Sequence, residues 1–489
     1  MSLSIGLDVA LSGLSVTAEQ TAVISRNVAR AGDPNATRKT ANVVTAPGGG
    51  VRVASITRQA DQALFERMLG ANTGAAAQTA IVDALRALDQ TNGDPELETS
   101  PAAHIAKLAS ALQQYAQEPQ NATLARAAVM AAGDVATSLN DATRTVQQVR
   151  SQADADIATS VARVNDLLAQ FETVNNRIKH GSSVGADVAD DLDRRDQLLK
   201  SISEEIGIRT VTRANNDMAI YTDNGLTLFD TKPRSVAFTP TEFYQPATTG
   251  APVLVDGVAV TGSTPLGSAS GRIAALAQVR DDIAVTYQSQ LDEIARGLVE
   301  AFAESDQSAS PTLPDVPGLF TWSGAPAMPA TGSIEVGIAG SITISASVDP
   351  TQGGDPAKLR DGAISGNAAY LYNTTGAAGF SDRLNELITA LDQQRVFDPA
   401  AGVGSTATLS GFASSSVGWL QAARQSASEQ ADYKTTLFER ASDALTSVTG
   451  INLDEEMTLL LELERSYQAS SRLITTIDNM LGSLLSAVG

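Results

Sequence analysis

Residues 460–488 read LLELERSYQASSRLITTIDNMLGSLLSAV, and this segment repeats its apolar side chains every seven residues. One row of the repeat holds Leu460, Tyr467, Ile474, Leu481 and Val488, and a second row holds Leu463, Ser470, Ile477 and Leu484. A seven-residue repeat of this length is typical of a helix that packs along another helix. We therefore predict a heptad helix here, within one terminal helical stretch that begins near residue 416.

The first thirty residues carry a weaker version of the same pattern. Leu7, Leu14, Thr21 and Val28 are seven residues apart, and Ala10, Thr17 and Ile24 lie between them. Residues 1–60 hold six basic and three acidic side chains, whereas residues 450–489 hold two basic and six acidic ones, so the charges of the two ends are complementary. The larger residues of both seams form the predicted assembly interface: Leu7, Leu14, Ile24, Val28, Leu460, Leu463, Tyr467, Ile474, Ile477, Leu481 and Leu484. Such helices pack either between copies of the chain or inside one closed intramolecular bundle.

The longest predicted element is a helix over residues 121–179, which His180-Gly181 would end. Its apolar positions alternate gaps of four and three residues, with one doubled gap of four at Ala153 and Ile157. Such a stutter locally unwinds a coiled coil. At 1.5 Å per residue the helix would form a rod of roughly 85–90 Å.

Between residues 208 and 267 the apolar period changes to two, which predicts short strands. Two further strands are predicted at residues 333–338 and 341–348. The predicted fold is therefore mainly α, with a long coiled-coil-like helical bundle formed from the N- and C-terminal halves and with small β-rich inserts. The predicted division is an inner terminal helical domain (1–35 plus 449–489), a long helical bundle domain (36–207 plus 268–305 plus 355–448), a β-rich insert (208–267) and a small β/loop element (306–354).

The composition of the chain argues against several classes of function. The chain has 34 Lys and Arg against 55 Asp and Glu, a net charge of −21. That balance argues against binding to nucleic acid or to an anionic membrane, since both require basic surface. The sequence has no cysteine, which excludes disulfides and thiolate chemistry.

The sequence offers no constellation of catalytic, cofactor-binding or metal-binding residues, and we predict that the chain is not an enzyme. His104 and His180 are the two histidines, and neither belongs to a His-Glu-x-x-His pattern. An acidic cluster between Asp187 and Asp196 has Arg194 and Arg195 beside it. This mixture favours a solvated helix with surface salt bridges over a calcium site.

Motifs at both ends of the chain resemble those of one family. Residues 449–456 (TGINLDEE), followed by residues 466–470 (SYQAS), are similar to the C-terminal signature of bacterial flagellar rod, hook and junction proteins. Residues 10–14 (ALSGL) resemble their N-terminal signature, and residues 191–199 (DLDRRDQLL) resemble the hook-proximal junction members. Residues 36–40 (ATRKT) depart from the Gly-Tyr-x-Arg-Gln motif that is usual in the family.

The resemblance implies a structural component of the flagellum, a ring of copies that connects the hook to the filament and supports filament assembly. The implied partners are the chain itself in a ring, the hook protein, the distal junction protein, a cytoplasmic export chaperone and the flagellar type III export apparatus. Met1–Gly6 lacks the basic and apolar regions of a secretory signal, which taken alone predicts the cytoplasm or an export route that does not use such a signal. The resemblance implies the second, an extracellular location on the flagellum reached without signal cleavage. The alternatives are a flagellin-like filament subunit, the distal junction protein or, in another class, an extracellular coiled-coil adhesin.

Overall fold

The structure is a computed structural model, and it describes residues 2–47, 49–92, 99–262 and 269–488. Its helices are α1 (Ser2–Arg30), α2 (Gln62–Asp89), α3 (Pro101–Gln117), α4 (Ala122–Val184), α5 (Ala189–Glu205), α6 (Arg272–Gln278), α7 (Ala284–Ala301), α8 (Ile338–Ser341), α9 (Lys358–Asp361), α10 (Asp382–Asp392), α11 (Leu409–Thr449) and α12 (Leu453–Val488). Its strands are β1 (Lys39–Thr45), β2 (Val51–Arg58), β3 (Ile208–Thr212), β4 (Met218–Thr222), β5 (Thr227–Asp230), β6 (Lys232–Pro233), β7 (Val236–Ala237), β8 (Leu254–Val255), β9 (Val258–Ala259), β10 (Phe320–Thr321), β11 (Thr343–Ile344), β12 (Arg395–Val396) and β13 (Thr406–Ala407). The predicted mainly α fold with small β inserts is confirmed.

The spine of the bundle is α4, a 63-residue helix about 95 Å long at 1.5 Å per residue. The apolar positions predicted for its buried face are Val135, Leu139, Ala142, Val146, Val149, Ala153, Ile157, Ser160, Val164, Leu167, Phe171, Val174 and Ile178. They are buried, apart from Leu167, whose neighbour Leu168 takes the core position. Helices α3, α5, α6 and α7 pack against it, so its apolar side chains form one continuous core with theirs.

The helix α4 does not end at Gly181 as predicted but runs on to Val184. Gly185 stops it by adopting the left-handed conformation, with φ of 72°, that favours glycine. Gly181 is instead a packing position, because a Cβ atom there would lie 2.4 Å from Cγ1 of Val188.

The predicted terminal helical stretch is two helices rather than one. It begins earlier than expected, at Leu409 in α11, and it breaks between Thr449 and Leu453. Gly450 is extended, and its N–H still donates to the Thr446 carbonyl at 2.7 Å. Asn452 then caps α12 by accepting the Asp454 N–H at 3.0 Å. The break lets α11 pack along α2 while α12 turns away to pack along α1.

The β-rich insert consists of two small antiparallel sheets, one with strand order β3-β4-β5-β6 and one with strand order β7-β8-β9. It lies on α4, where Phe229 packs edge-on against Phe171 with ring centroids 4.9 Å apart. Asn165 of α4 also donates to the Val236 carbonyl at 2.8 Å. The insert is therefore attached to the bundle and is not a separate unit on a linker.

The prediction of a strand at residues 333–338 is wrong. Gly337 has φ of 87°, which interrupts an extended run, and the chain then forms the short helix α8. The buried carboxylate of Asp292 accepts the N–H groups of Gly337 at 2.9 Å and of Ala339 at 3.0 Å. Burial raises the pKa of Asp292 to about 6, against the lowering effect of these hydrogen bonds. Of the second predicted strand only β11 forms, paired with β10.

Within the described part of the chain, the helices are too short or too polar to cross a membrane.

The α4 core yields a test of the fold. Ile157 is fully buried, and replacing it with Ala should lower the free energy of unfolding by about 2–5 kcal/mol, because a cavity remains. Thr159→Ala, two residues away on the exposed face, should change stability by about 0.5 kcal/mol or less. Urea unfolding followed by circular dichroism measures both. Equal midpoints for the two variants would contradict the placement of Ile157 in the core.

Candidate assembly interface

The two chain ends form an antiparallel helix pair with one register. A Cβ atom on Gly6 would lie 3.6 Å from Cδ1 of Ile477, and one on Gly13 would lie 3.8 Å from Oγ of Ser470. Each heptad forward in α1 corresponds to one heptad back in α12. Two heptads on from Gly13 and Ser470, this register brings Asn27 to Glu456. The absence of side chains at Gly6 and Gly13 allows close approach of the helices.

The predicted interface residues occupy three environments. Ile24 and Ile477 are buried. The half-buried group is Leu7, Leu14, Val28, Leu460, Leu463, Ile474 and Leu481. Tyr467 and Leu484 are 47% and 51% exposed, so the contact between α1 and α12 does not cover them.

The sequence reasoning missed Val16 and Val23, which are both buried in α1. Helix α1 has two partners, because the β1–β2 hairpin packs against it as well as α12. The hairpin stays close to α1 as far as Ser12, whose hydroxyl accepts the Val51 N–H at 3.1 Å. Two partners require a wider apolar band than one seam. The seven-residue spacing of Val16 and Val23 was the signal for the second seam.

An apolar stripe on α12 is left uncovered. Leu473, Met480 and Leu484 are spaced by seven and four residues, which places them on one side of the helix. They are 51%, 45% and 51% exposed. We call these three residues the uncovered stripe. A row of large apolar side chains in water is typical of a surface that packs against another protein.

A buried polar cluster fixes the register of the pair. Asn27, 2% exposed, donates from Nδ2 to Oε2 of Glu456 at 3.0 Å and to the Lys39 carbonyl at 2.9 Å. Arg38 Nε donates to the other carboxylate oxygen of Glu456 at 2.7 Å. Glu456 is 1% exposed, so a shift of one heptad would leave its charge buried without these partners.

A second cluster connects the terminal pair to the bundle through a row of carboxylates that begins just before α5 and continues along it. We call Asp187, Asp190, Asp193 and Asp196 the acidic row. Asp193 is 1% exposed and accepts the Thr37 hydroxyl at 2.5 Å, while Lys39 Nζ and Arg58 Nη1 lie 3.4 Å and 3.3 Å from it. These contacts bring the loop after α1, strand β1 and strand β2 to one side chain of the bundle.

Other carboxylates of the acidic row also pair with basic residues of the N-terminal segment. Asp190 pairs with Arg30 at 2.8 Å and with Lys39, and Asp196 pairs with Arg58 at 2.6 Å. Burial acts to raise the pKa of Asp190, but the hydrogen bond and charge of Lys39, with the charges of two arginines, hold it below its usual value. Burial raises the pKa of Asp196. The charge of Arg58 acts to lower that pKa but offsets only part of the rise.

The predicted salt bridges at Asp187–Asp196 are present, but the helix is solvated only in part, because Asp193 and Arg195 are buried. Successive members of the acidic row are three residues apart, so each lies next to the following one on the helix surface, and the row meets basic residues of positions 26–58. Arg195 points elsewhere and donates to the Asn216 carbonyl of the β-rich insert at 2.6 Å, and burial lowers its pKa to about 10. Both signals, the spacing of three and the basic N-terminal segment, were present in the sequence.

His104 and His180 lie apart, on α3 and α4. Burial and the nearby charge of Lys107 lower the pKa of His104. Among the described residues no group of three or more His, Cys, Asp and Glu side chains could hold a metal ion. Arginine and lysine side chains occupy the positions between the carboxylates of the acidic row.

The acidic row predicts a position-specific effect of substitution. Asp193→Ala removes a buried acceptor shared by Lys39, Arg58 and Thr37, and should lower the free energy of opening this contact by about 3–5 kcal/mol. Asp191→Ala is the matched control, because its ion pair with Arg177 is exposed and such pairs contribute about 0–1 kcal/mol. Hydrogen exchange of the amides of residues 37–39 measures both. Similar protection in the two variants would contradict a structural role for Asp193.

Comparison with known proteins agrees with this architecture. Residues 85–310 match the family described as flagellar hook-associated protein FlgK helical domain, and residues 445–487 match the flagellar basal body rod FlgEFG protein C-terminal family. The structure also resembles that of the flagellar hook junction protein FlgK from Burkholderia pseudomallei. The TM-score is 0.57 at 14% identity, over 78% of this chain and all of that one.

The curated relatives that the chain matches share the same name. Flagellar hook-associated protein 1 of Bacillus subtilis is 22% identical over 392 residues, which are 76% of this chain and 73% of that protein. The Escherichia coli protein of the same name is 23% identical over 310 residues, 60% of this chain and 55% of that protein. The Salmonella typhimurium protein is 23% identical over 230 residues, 45% of this chain and 41% of that protein. The chain is thus similar to flagellar hook-associated proteins along its central helices, and to flagellar rod proteins along its C-terminal helix.

Proposed function

We propose that this chain is a structural subunit of the bacterial flagellum at the junction between hook and filament, where it connects the two and supports filament assembly. The observation that carries the proposal is the antiparallel α1–α12 pair with its uncovered stripe, held on a bundle related to the FlgK helical domain. An isolated helix pair buries little apolar surface, so packing between copies would stabilise it.

The assembly interface would comprise the predicted seam residues together with the uncovered stripe. Residues 1–35 and 449–489 would form the inner domain, with the bundle domain, the β-rich insert and the small β/loop element outside it. The β1–β2 hairpin, which the predicted division places in the bundle domain, packs on α1 and belongs with the inner domain. Two chain crossings, at residues 58–61 and 449–453, join the helix pair and its hairpin to the bundle. The acidic row provides the main side-chain connection between the same two parts. This arrangement suits a mechanical joint, because the assembling helices are separate from the core that stabilises the chain.

The partners we propose follow from this role. The chain would contact further copies of itself in a ring, the hook protein on one side and the distal junction protein on the other. It would reach this extracellular position through the flagellar type III export apparatus, without cleavage of a signal. The uncovered stripe is a hazard before assembly, since exposed apolar surface promotes aggregation. A cytoplasmic export chaperone that covers the C-terminal helix would remove the hazard.

The alternatives have less support. The relatives named above are hook-associated proteins, which disfavours a flagellin-like filament subunit and the distal junction protein. An extracellular coiled-coil adhesin has no observation in its favour. The family has a structural role, and we propose no enzymatic activity.

The uncovered stripe provides the test. Leu473→Ser combined with Leu484→Ser should leave the melting temperature of the purified chain unchanged, because both side chains are already exposed. Each leucine that is buried on assembly contributes roughly 1.5–3 kcal/mol. Cells carrying the double variant in place of the native gene should therefore fail to retain filaments, release filament protein into the medium and not swim.

The matched control for the stripe is a pair of polar substitutions on the same helix, Glu462→Gln with Arg472→Gln. Both side chains are exposed, and we expect these cells to swim normally. Soft-agar motility and electron microscopy of the flagella give the two readouts. Normal filaments on cells with the leucine variant would contradict the proposed function.

A further inference from the structure

The C-terminal part of α12 carries few charges, and these are free to meet a second protein. The charged residues of the segment 463–488 are Glu464, Arg465, Arg472 and Asp478. All four side chains are exposed, and within the part of the chain that the structure describes none of them forms an ion pair. Their placement around the helix therefore shows which kind of surface each side of α12 offers to a partner.

The two signs of charge lie on opposite sides of α12. Ile477 is buried against α1 and marks the face that the pair covers. At about 100° per residue, Arg465 and Arg472 lie about 120° and 140° from Ile477 in one sense of rotation. Glu464 and Asp478 lie about 140° and 100° from it in the other sense. One side of the helix is therefore basic and the other is acidic.

Exposed apolar side chains accompany both groups of charges. Leu473 and Met480 of the uncovered stripe lie about 40° and 60° from Ile477 on the basic side. Tyr467 and Leu485, which are 47% and 76% exposed, lie about 80° from Ile477 on the acidic side. We call Leu473, Met480, Arg465 and Arg472 the basic flank, and Tyr467, Leu485, Glu464 and Asp478 the acidic flank.

Helix α1 extends the basic flank and does not disturb the separation of charge. Gly13 faces α12, and exposed Ile5 and Val9 lie about 80° and 40° from it in the sense of rotation that leads to the basic flank. In an antiparallel pair, rotations of the same sense point to the same side. Asp8 is the one charged residue of the segment 2–17, and at about 140° from Gly13 it points away from α12.

The two flanks complement each other in apolar surface and in charge. When the basic flank of one copy packs on the acidic flank of the next, the apolar rows meet and the arginines face carboxylates at the rim. A two-fold contact would instead place arginines against arginines or carboxylates against carboxylates. Flanks on opposite sides of one helix suit a head-to-tail contact, which closes into a ring or continues as a helix.

We propose that α12 packs directly against α12 of both neighbouring copies, with the basic flank of each copy on the acidic flank of the next. The proposal rests on the proposed assembly of copies and specifies which surfaces meet. The apolar rows supply the attraction, and the charges set the polarity because like charges in contact repel. Neutralising Arg472 alone removes only a weak exposed pair, whereas reversing both arginines opposes the contact.

Charge reversal with rescue tests the pairing of the two flanks. Arg465→Glu with Arg472→Glu makes both flanks acidic, and Glu464→Arg with Asp478→Arg makes both basic. Each double variant should lower the amount of the chain in hook–filament preparations at least tenfold, as measured by immunoblot relative to the hook protein. The fourfold variant, which exchanges the two signs, should restore the amount to within twofold of the native level.

The matched control reverses two exposed carboxylates on α4, Asp134→Arg with Asp166→Arg, and should leave the amount of assembled chain unchanged. The inference is wrong if a flank variant assembles normally, if the control loses as much chain, or if the fourfold variant is not restored. In each case the proposed function stands as long as Leu473→Ser with Leu484→Ser abolishes filaments. If that leucine variant builds normal filaments, the proposed function is wrong as well.

Cross-linking distinguishes a head-to-tail contact from a two-fold contact, because the chain has no cysteine. Thr476 lies on the side of the basic flank and Ser471 on the side of the acidic flank, and both are exposed. In hook–filament preparations, Thr476→Cys with Ser471→Cys should give a ladder of covalent multimers with a short bis-maleimide. Each single-cysteine variant should give at least tenfold less product. Absence of the ladder, or a strong dimer from either single variant, would overturn the inference.

Discussion

The buried carboxylate of Glu456 is the constraint on which the arrangement of the chain ends depends. Asn27 and Arg38, more than 400 residues away in sequence, donate to its two oxygens at 3.0 Å and 2.7 Å. A buried carboxylate that loses its partners is strongly destabilising, so the two end helices have one acceptable register. The same Asn27 bonds the backbone of Lys39, and the Lys39 ammonium reaches Asp193 on α5. One chain of polar contacts thus connects the helix pair, the hairpin and the bundle.

The stable core of the molecule is separate from the end helices that we propose as its assembly interface. Its core runs along α4, where side chains of α2, α3, α5, α6 and α7 are buried against that helix. The α1–α12 pair has a thin seam with glycine at two contact positions, and it leaves Leu473, Met480 and Leu484 in water. A subunit that joins two different polymers benefits from this separation, because its contacts can adapt while the bundle keeps its shape. The acidic row then determines how the adaptable part is attached to the rigid part.

Patterns that depend on periodicity could be predicted from the sequence, and those that depend on tertiary partners could not. The heptads identified both end helices, and the gaps of four and three identified the buried face of α4. The end of α4 was missed because Gly181 and Gly185 look alike in sequence, and only the left-handed backbone at Gly185 distinguishes them. The break at Gly450 was missed although the sequence signals it, since Gly450 is followed by the capping residue Asn452 and by three acidic residues in the first turn of α12. Tyr467 and Leu484 fit the heptad, yet α1 is too narrow a partner to cover them.

In the proposed junction the paired chain ends make the contacts between copies while the bundle supports them. Electron cryo-microscopy of the isolated hook–filament junction would show this arrangement. We expect α1 and α12 side by side and antiparallel nearest the axis, with Leu473 and Leu484 packed against a neighbouring copy. A map in which the two helices are separated, or in which both leucines face water, would contradict it.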